Sequence, residues 1–189
     1  MEGIQLLLAA GVTVAIAVTL LMIYNALVAL RQRCDQAASD VDVQLRQRHD
    51  LIPNVVQTVQ AYAGHESRTL EAVSAARARA LDAKSRDDKM EAESVLGLAL
   101  GRLLAITEAY PELKANQNFL ELQDTLADVE NRIAGARRFL NNATAEYNTT
   151  IEQFPAVLIA GLLGFRRRSF HELSGGDRAI LDAAPAVQF

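Results

Sequence analysis

The sequence predicts an all-α protein in which a single N-terminal transmembrane helix continues into a long antiparallel bundle of three to four coiled-coil-like helices. Residues 3–30 contain no charged side chain, and two heptad seams follow them. The helical pattern continues from residue 31 to about residue 153 with little interruption. We therefore divide the chain into a membrane anchor (1–30), a helical bundle (31–153), an apolar and then Arg-rich segment (154–173) and a poorly ordered tail (174–189).

The most apolar part of the anchor, residues 4–23, has the length of about 20 helical residues that a bilayer crossing requires. No basic leading region and no A-x-A-like cleavage site accompany it, so we interpret it as a retained anchor rather than a signal peptide. Arg31 and Arg33 follow the span closely, whereas only Glu2 and the terminal amine precede it. The positive-inside rule then predicts a single-pass protein of the bacterial inner membrane, with its N-terminus outside and its bundle in the cytoplasm.

Two seams of apolar residues at alternating spacings of three and four predict long packed helices. The first begins where the span ends, so we expect the span and the first bundle helix to form one rod, adjusted at Pro53. Its members are Cys34, Ala38, Val41, Leu45, Arg48, Ile52, Val55, Val59 and Tyr62. The members of the second are Phe119, Leu122, Leu126, Val129, Ile133, Ala136, Leu140, Ala143 and Tyr147. A heptad pattern does not distinguish packing within one bundle from packing between copies. The candidate oligomer contacts on the second seam are therefore Phe119, Leu122, Leu126, Val129 and Ile133.

A further helical stretch between the seams runs from about residue 66 to 110, with a break expected in its charged middle, residues 84–89. Gly64 suits the end of the first long helix, and Pro111 suits the start of the third. Gly97 and Gly101 stand one turn apart on a single helix face, where a neighbouring backbone could approach closely. The alternative is that these two glycines are merely weak helix positions.

Residues 154–165 (FPAVLIAGLLGF) form an uncharged run that ends at Arg166, Arg167 and Arg168. Twelve residues are too few to span a bilayer. The run could lie in the membrane interface with its arginines on lipid phosphates, or it could close the end of the bundle. The tail is expected to be poorly ordered, although its last residues could dock elsewhere as an extended strand.

The sequence lacks the patterns that enzymes and cofactor proteins carry. It contains no glycine-rich phosphate loop, no G-x-S-x-G and no H-E-x-x-H motif. The residues three positions before its three histidines are Arg46, Tyr62 and Arg168, so the Glu-x-x-His pairs of di-iron bundles are missing. Its net charge of −4 and lack of tryptophan argue against nucleic acid. We therefore predict no enzymatic activity, no cofactor, no metal and no nucleic-acid partner.

Two polar residues on the first seam need an explanation of their own. Cys34 is either a small packed residue or, close to the span, an acylated thiol. Arg48 stands among apolar seam residues, where an unpaired charge is costly, so it should either reach an acidic partner or extend its stem to water. Glu108 and Asp50 are candidate partners, and we expect a polar cluster near the helix bends. Its candidate members are Arg48, His49, Asp50, Pro53, Asn54, Glu108, Tyr110, Pro111 and Asn116.

Three blocks of this sequence resemble the LemA family. The first comprises YNALV at 24–28, DVQLRQRHDLIPNVV at 42–56 and YAGHE at 62–66. The second is EAYPELKAN at 108–116 with Phe119 and LQ at 122–123, and the third is ENRI at 130–133 with Arg137, Arg138 and YN at 147–148. Phe139 and Leu140 stand where the family more usually has an aromatic residue followed by Asn. The resemblance covers nearly the whole chain.

The resemblance implies an anchored helical bundle without catalytic residues, and relatives act beside membrane proteases or in magnetosome membrane formation. Two hypotheses follow. In the first, the protein is a homo-oligomeric scaffold that organises the membrane or its proteins, held to lipid or to a neighbouring copy by its apolar and Arg-rich segment. In the second, it is a monomeric adaptor for a membrane protease or an envelope signalling partner.

Overall fold

The computed structural model describes residues 1–170, and the tail expected at 174–189 lies outside them. The described residues contain no strand, which confirms the all-α fold. They form the helices α1 (Glu2–Tyr62), α2 (Ser67–Asp82), α3 (Arg86–Thr107), α4 (Pro111–Lys114), α5 (Gln117–Glu152) and α6 (Val157–Ala160). The chain divides into unit 1, Met1–Val41 with residues 135–170, and unit 2, Asp42–Ala134. Helices α1 and α5 each contribute residues to both units.

Helix α1 is a single helix that includes the predicted span and continues through Pro53 to Tyr62. It is long and apolar enough to cross a membrane, with a mean hydropathy of 2.7 in its most apolar window and none of that window buried. The expectation that the span continues into the first bundle helix is therefore confirmed. Gly64 follows in the turn after α1, where an added Cβ would lie 3.2 Å from the carbonyl oxygen of Gln60.

The break between α2 and α3 is shorter than the sequence suggested. It falls at residues 83–85, and α3 already begins at Arg86. The hydroxyl of Ser85 accepts a hydrogen bond from the backbone N–H of Asp88 at 3.0 Å, which caps the helix. Asp87 and Asp88 then lie in its first turn, where negative charge favours the helix dipole. The charged stretch expected to be a loop is therefore mostly the start of a helix.

Pro111 opens the one-turn helix α4 rather than the third long helix, which corrects our prediction. The long helix α5 begins six residues later, at Gln117. Its start is fixed by Asn116, whose side-chain oxygen accepts a hydrogen bond from the backbone N–H of Phe119 at 2.9 Å. A side-chain cap of this kind satisfies a backbone donor that the first helical turn leaves unpaired.

The core of unit 2 is built from α1, α2, α3, α4 and the start of α5. Its buried members are Ile52, Val55, Val59, Ala63, Leu70, Val73, Ala76, Ala80, Ala92, Leu96, Ala99, Leu100, Leu103, Leu113 and Phe119. Leu126, Val129 and Ile133 on α5 are also buried, and Leu122 is partly buried against this core. These α5 residues, expected to pack within the bundle or between copies, are thus occupied within the chain. Gly97 and Gly101 are exposed, and a Cβ added at either would have no neighbour within 4 Å.

Candidate functional site

A buried charged cluster lies within unit 2. The side chain of Arg48 on α1 is only 4% exposed and pairs with the equally buried carboxylate of Glu93 on α3. Its second terminal nitrogen, Nη1, lies 2.8 Å from Oε1 of Glu130 on α5. His49, the next residue of α1, places Nε2 2.8 Å from Oε1 of Glu93. Glu93 is therefore shared by two neighbouring residues of α1, and Arg48 joins α1 to both α3 and α5.

Helix α2 joins the same cluster through a backbone contact. Nε of Arg77 donates a hydrogen bond to the carbonyl oxygen of His49 at 2.7 Å. That carbonyl belongs to α1 four residues before Pro53, whose ring nitrogen has no proton to donate to it. Arg77 thus supplies the hydrogen bond that proline removes. Within residues 1–170, each of the four long helices α1, α2, α3 and α5 contributes a side chain to the cluster.

The carboxyl group of Glu93 is ionised in this setting. Burial by itself would raise the pKa of Glu93, but the close contact with His49 and the positive charge of Arg48 act in the opposite direction. Together these partners hold the pKa of Glu93 below its ordinary value of 4.5. The cluster therefore contains a fixed negative charge at neutral pH, surrounded by groups that already use its oxygens.

Arg48 has acidic partners, but they are Glu93 and Glu130 and not the expected Glu108 or Asp50. Glu108 forms an exposed ion pair with Lys114, six residues further along the chain. Asp50 is exposed on α1, as are Pro53 and Asn54, because these three positions face away from the seam that contains Arg48 and Ile52.

The remaining expected members lie at the turn between α3 and α5. Asn116 donates a hydrogen bond from Nδ2 to the hydroxyl of Tyr62 at 2.8 Å, which links the end of α1 to the start of α5. Tyr110 packs against the core beside Pro111. Of the candidate residues, Arg48 and His49 thus belong to the charged cluster, and Glu108, Tyr110, Pro111 and Asn116 belong to the turn. Asp50, Pro53 and Asn54 belong to neither group.

Sequence reasoning missed Glu93, Glu130 and Arg77. A signal for Glu93 was present, because it stands three residues before Leu96 and seven before Leu100, on the buried face of α3. A charged residue on the buried face of one helix, together with Arg48 on the buried seam of another, indicates an ion pair inside the bundle. Glu130 is 43% exposed and gives no comparable signal.

The arrangement offers little for metal or acid–base chemistry. Within residues 1–170, no group of three or more His, Cys, Asp and Glu side chains is placed to hold a metal ion. The carboxylate of Glu93 is engaged by Arg48 and His49, so it is not presented to a substrate. The geometry instead fixes the register of the helices that meet there.

A second polar arrangement lies within unit 1, around the Arg-rich segment. The aromatic ring of Phe165 is buried, packs edge-on against Tyr24 with centroids 6.0 Å apart, and lies under the guanidinium of Arg31 at 5.3 Å. Arg33 pairs with Glu146 at 2.8 Å, and its guanidinium lies 5.6 Å from the ring of Phe139. The contacts of Phe165 pack the end of the apolar run against α1, and those of Arg33 join α1 to α5.

The backbone after Phe165 is held by side chains of α5. Nδ2 of Asn148 donates to the carbonyl oxygen of Arg168 at 2.8 Å, and Oδ1 accepts from the N–H of Arg168 at 2.9 Å. The hydroxyl of Tyr147 donates to the carbonyl oxygen of Arg166 at 3.1 Å. The guanidinium of Arg168 then pairs with Asp35 at 2.6 Å, whereas Arg167 lies 3.2 Å from Glu152. Arg167 and Arg168 thus pair with different acidic residues, and the backbone of Arg166 is held by Tyr147.

Residues 154–165 have one packed side and one open side. Ala156, Ala160 and Phe165 are buried, which shows that the run closes part of unit 1. Phe154 and Leu162 remain 80% and 87% exposed. The two alternatives raised from the sequence therefore do not exclude each other.

Cys34 is a packed residue. It is fully buried, and this burial raises the pKa of its thiol above the ordinary value, while Arg168 and a hydrogen bond with Thr144 act in the opposite direction. A protonated and inaccessible thiol is a poor substrate for acylation.

Comparisons with known proteins agree with the resemblance noted above. The sequence model of the LemA family matches residues 37–189. Magnetosome protein MamQ of Magnetospirillum gryphiswaldense is 30% identical over 207 residues, which cover 94% of this chain and 76% of the relative. Magnetosome protein MamQ 2 of Paramagnetospirillum magneticum is 27% identical over 195 residues, covering 89% of this chain and 72% of the relative.

Proposed function

This chain belongs to the LemA family, and we propose that it is a non-enzymatic scaffold, anchored in the membrane by α1, that self-assembles through the surface of its helical bundle. The observation that supports this most is the most apolar window of α1, in which no residue is buried against the rest of the chain. In water such a surface would be strongly unfavourable, and a bilayer removes that cost. The anchor then concentrates copies of the bundle on one plane, which favours lateral association.

A structural role also suits the polar residues. The one buried carboxylate of the charged cluster is engaged by Arg48 and His49, and the remaining contacts of the cluster join helices to each other. An enzyme would instead direct such groups towards a cavity where a substrate can enter. The similarity to proteins named for the magnetosome supports a role at a membrane.

The outer α3 surface, defined here as Gly97, Leu98 and Gly101, is our candidate contact between copies. Leu98 is 59% exposed, and both glycines have open space where a side chain would be. The two glycines would let a second helix approach closely, which larger residues would prevent. By contrast, the α5 residues Phe119, Leu126, Val129 and Ile133 are buried within the chain and are not available to a second copy.

The mass and shape of the full-length protein in mild detergent test the proposal directly, by light scattering followed by single-particle electron microscopy. We expect a defined assembly of several copies. A monomer at all concentrations would contradict the scaffold and favour the monomeric adaptor for a membrane protease or signalling partner.

A pair of matched variants tests the contact surface. Leu98→Glu on the outer α3 surface should lower the mass of the assembly, because it places a charge where two helices would meet. Leu81→Glu is the control, since Leu81 is similarly exposed at 53% on α2. Equal masses for the two variants would remove the outer α3 surface from the proposal.

We also propose that the N-terminus lies outside the cytoplasmic membrane and the bundle inside, in keeping with Arg31 and Arg33 after the span. Protease added to spheroplasts should then leave the bundle intact until the membrane is permeabilised. Cleavage of the bundle in intact spheroplasts would reverse this orientation.

A further inference from the structure

Unit 1 begins to pack where the membrane span ends. Residues 1–22 of α1 are all exposed, Ile23 is half-buried, and Leu27 is fully buried. If residues 4–23 cross the hydrocarbon core, Leu27 lies about 6 Å beyond its edge, at 1.5 Å per residue. The packed end of unit 1 is therefore at the boundary between lipid and water.

Helix α5 ends at this same level. It runs antiparallel to α1, because Glu130 pairs with Arg48 whereas the later residue Glu146 pairs with the earlier residue Arg33. Glu152, the last residue of α5, lies six positions after Glu146, and Leu27 lies six positions before Arg33, the partner of Glu146. Residues 153–164 therefore begin at the level of Leu27, and Phe165 rejoins α1 between Tyr24 and Arg31.

The side chains that this segment leaves uncovered are apolar. Phe154 is 80%, Leu158 65% and Leu162 87% exposed, and residues 154–165 contain no charge. Polar groups lie next to this segment. Arg166 and Arg167 follow it and are both exposed, and Tyr24 lies beside it on α1. Tyrosine and arginine next to apolar side chains are typical of segments in the headgroup region of a bilayer.

We propose that residues 154–165 form a second membrane contact, in which Phe154, Leu158 and Leu162 enter the lipid interface beside the spanning part of α1. Arg166 and Arg167 then lie at the level of the lipid phosphates. The packed residues Ala156, Ala160 and Phe165 fix this segment to unit 1, so that two points hold unit 1 to the bilayer instead of one flexible stalk. This inference depends on the anchor alone and not on self-assembly.

The test places an environment-sensitive NBD fluorophore on a cysteine introduced as Leu162→Cys, and separately as Leu158→Cys, in the full-length protein. Cys34 can stay, because its buried thiol should not react in the folded protein. The labelled protein is reconstituted into vesicles of phosphatidylcholine and phosphatidylglycerol. Quenching is then measured with lipids that have a nitroxide on carbon 5 of the acyl chain, and with iodide in the water.

The matched control is Asp40→Cys, which is exposed on α1 about 25 Å beyond Ile23 along the helix axis. We expect the lipid nitroxide to quench the probes at residues 158 and 162 several-fold more strongly than the probe at residue 40, with the reverse order for iodide. Iodide quenching at residues 158 and 162 equal to that at residue 40 would overturn the proposal. Protection from both quenchers would also overturn it, because protein and not lipid would then cover the segment.

The same samples separate this proposal from the scaffold proposal, because their mass can be measured after extraction in mild detergent. A monomer whose probes at residues 158 and 162 are quenched by lipid would refute the scaffold and leave the second membrane contact in place. An assembly whose two probes are quenched only by iodide would support the scaffold and refute the second membrane contact.

Discussion

Arg48 in unit 2 and Arg168 in unit 1 both pair with a carboxylate, but in different surroundings. Arg48 and Glu93 are each about 5% exposed, and Arg48 reaches a second carboxylate on Glu130. Arg168 is 33% exposed, pairs with the half-exposed Asp35, and covers the ring of Tyr147 at 5.6 Å. Water can replace the partner of Arg168 if the pair is broken, whereas it cannot do so at Arg48.

These surroundings determine what each arginine contributes to the fold. A buried pair adds little net stability over an apolar pair of similar volume, but a helix register that separates its members leaves an uncompensated buried charge. The Arg48 cluster therefore selects one register among the helices of unit 2. The Arg168 region instead uses neutral hydrogen bonds from Asn148 to position a segment, and its ion pair adds only a little.

The largest expected effect comes from Arg48→Met. It leaves the carboxylate of Glu93 buried without its main partner, and we expect the free energy of unfolding to fall by about 3–5 kcal/mol. Urea denaturation of the protein in detergent measures this. The double variant Arg48→Met with Glu93→Leu should recover most of the loss, because no unpaired charge remains. Unchanged stability in the single variant would show that Arg48 does not specify the packing of unit 2.

Acid should weaken the same cluster. Because the pKa of Glu93 is lower in the folded state than its ordinary value of 4.5, its contribution is complete above about pH 4.5 and is lost as the pH falls through the folded pKa. The stability difference between the wild type and Glu93→Gln should therefore be constant near neutral pH and shrink below pH 4.5. A difference that stayed constant down to pH 3 would contradict this assignment.

Asn148→Ala should have an intermediate effect in unit 1. It removes both hydrogen bonds to the backbone of Arg168, and we expect a loss of about 1–3 kcal/mol, because buried polar groups lose their partners. Limited trypsin digestion should also cut faster after Arg166, Arg167 and Arg168. The control is Asn142→Ala, an exposed position on the same helix, which should leave both measurements nearly unchanged.

The smallest effect is expected for Arg33→Met. Its ion pair with Glu146 is half-exposed on both sides, so the loss should be about 0.2–1 kcal/mol and should decrease further in high salt. Compared with Arg48→Met under the same conditions, this variant isolates the effect of burial on a single Arg–Glu pair. Similar losses for both variants would remove the distinction between the two regions.

Local patterns predicted much of this molecule. The uncharged stretch, most of the seam from Cys34 to Val59 and the break before α3 were all visible in the sequence, because helix formation and apolar periodicity depend on near neighbours. The predicted seam members Ala38 and Tyr62 are exposed, and Ala37 is buried in place of Ala38. The predicted break is longer than the observed one, because the cap by Ser85 starts α3 within the charged stretch. The sequence indicates Asn116 as a polar residue near a bend, whereas its role in starting α5 depends on its hydrogen bond with the backbone of Phe119.

The all-α fold, the apolar helix at the N-terminus and the family could be inferred from the sequence, which also showed that Arg48 needs an acidic partner or access to water. The three-dimensional structure was required to identify Glu93, 45 positions away, and Glu130, 82 positions away, as its partners, and to show that residues 154–165 return to α1 beside Tyr24. Periodicity fixes which face of each helix is buried, whereas the pairing of residues across helices depends on the axial position of each helix relative to its neighbours. That register is set by the summed packing of many side chains and by the cost of an unpaired buried charge.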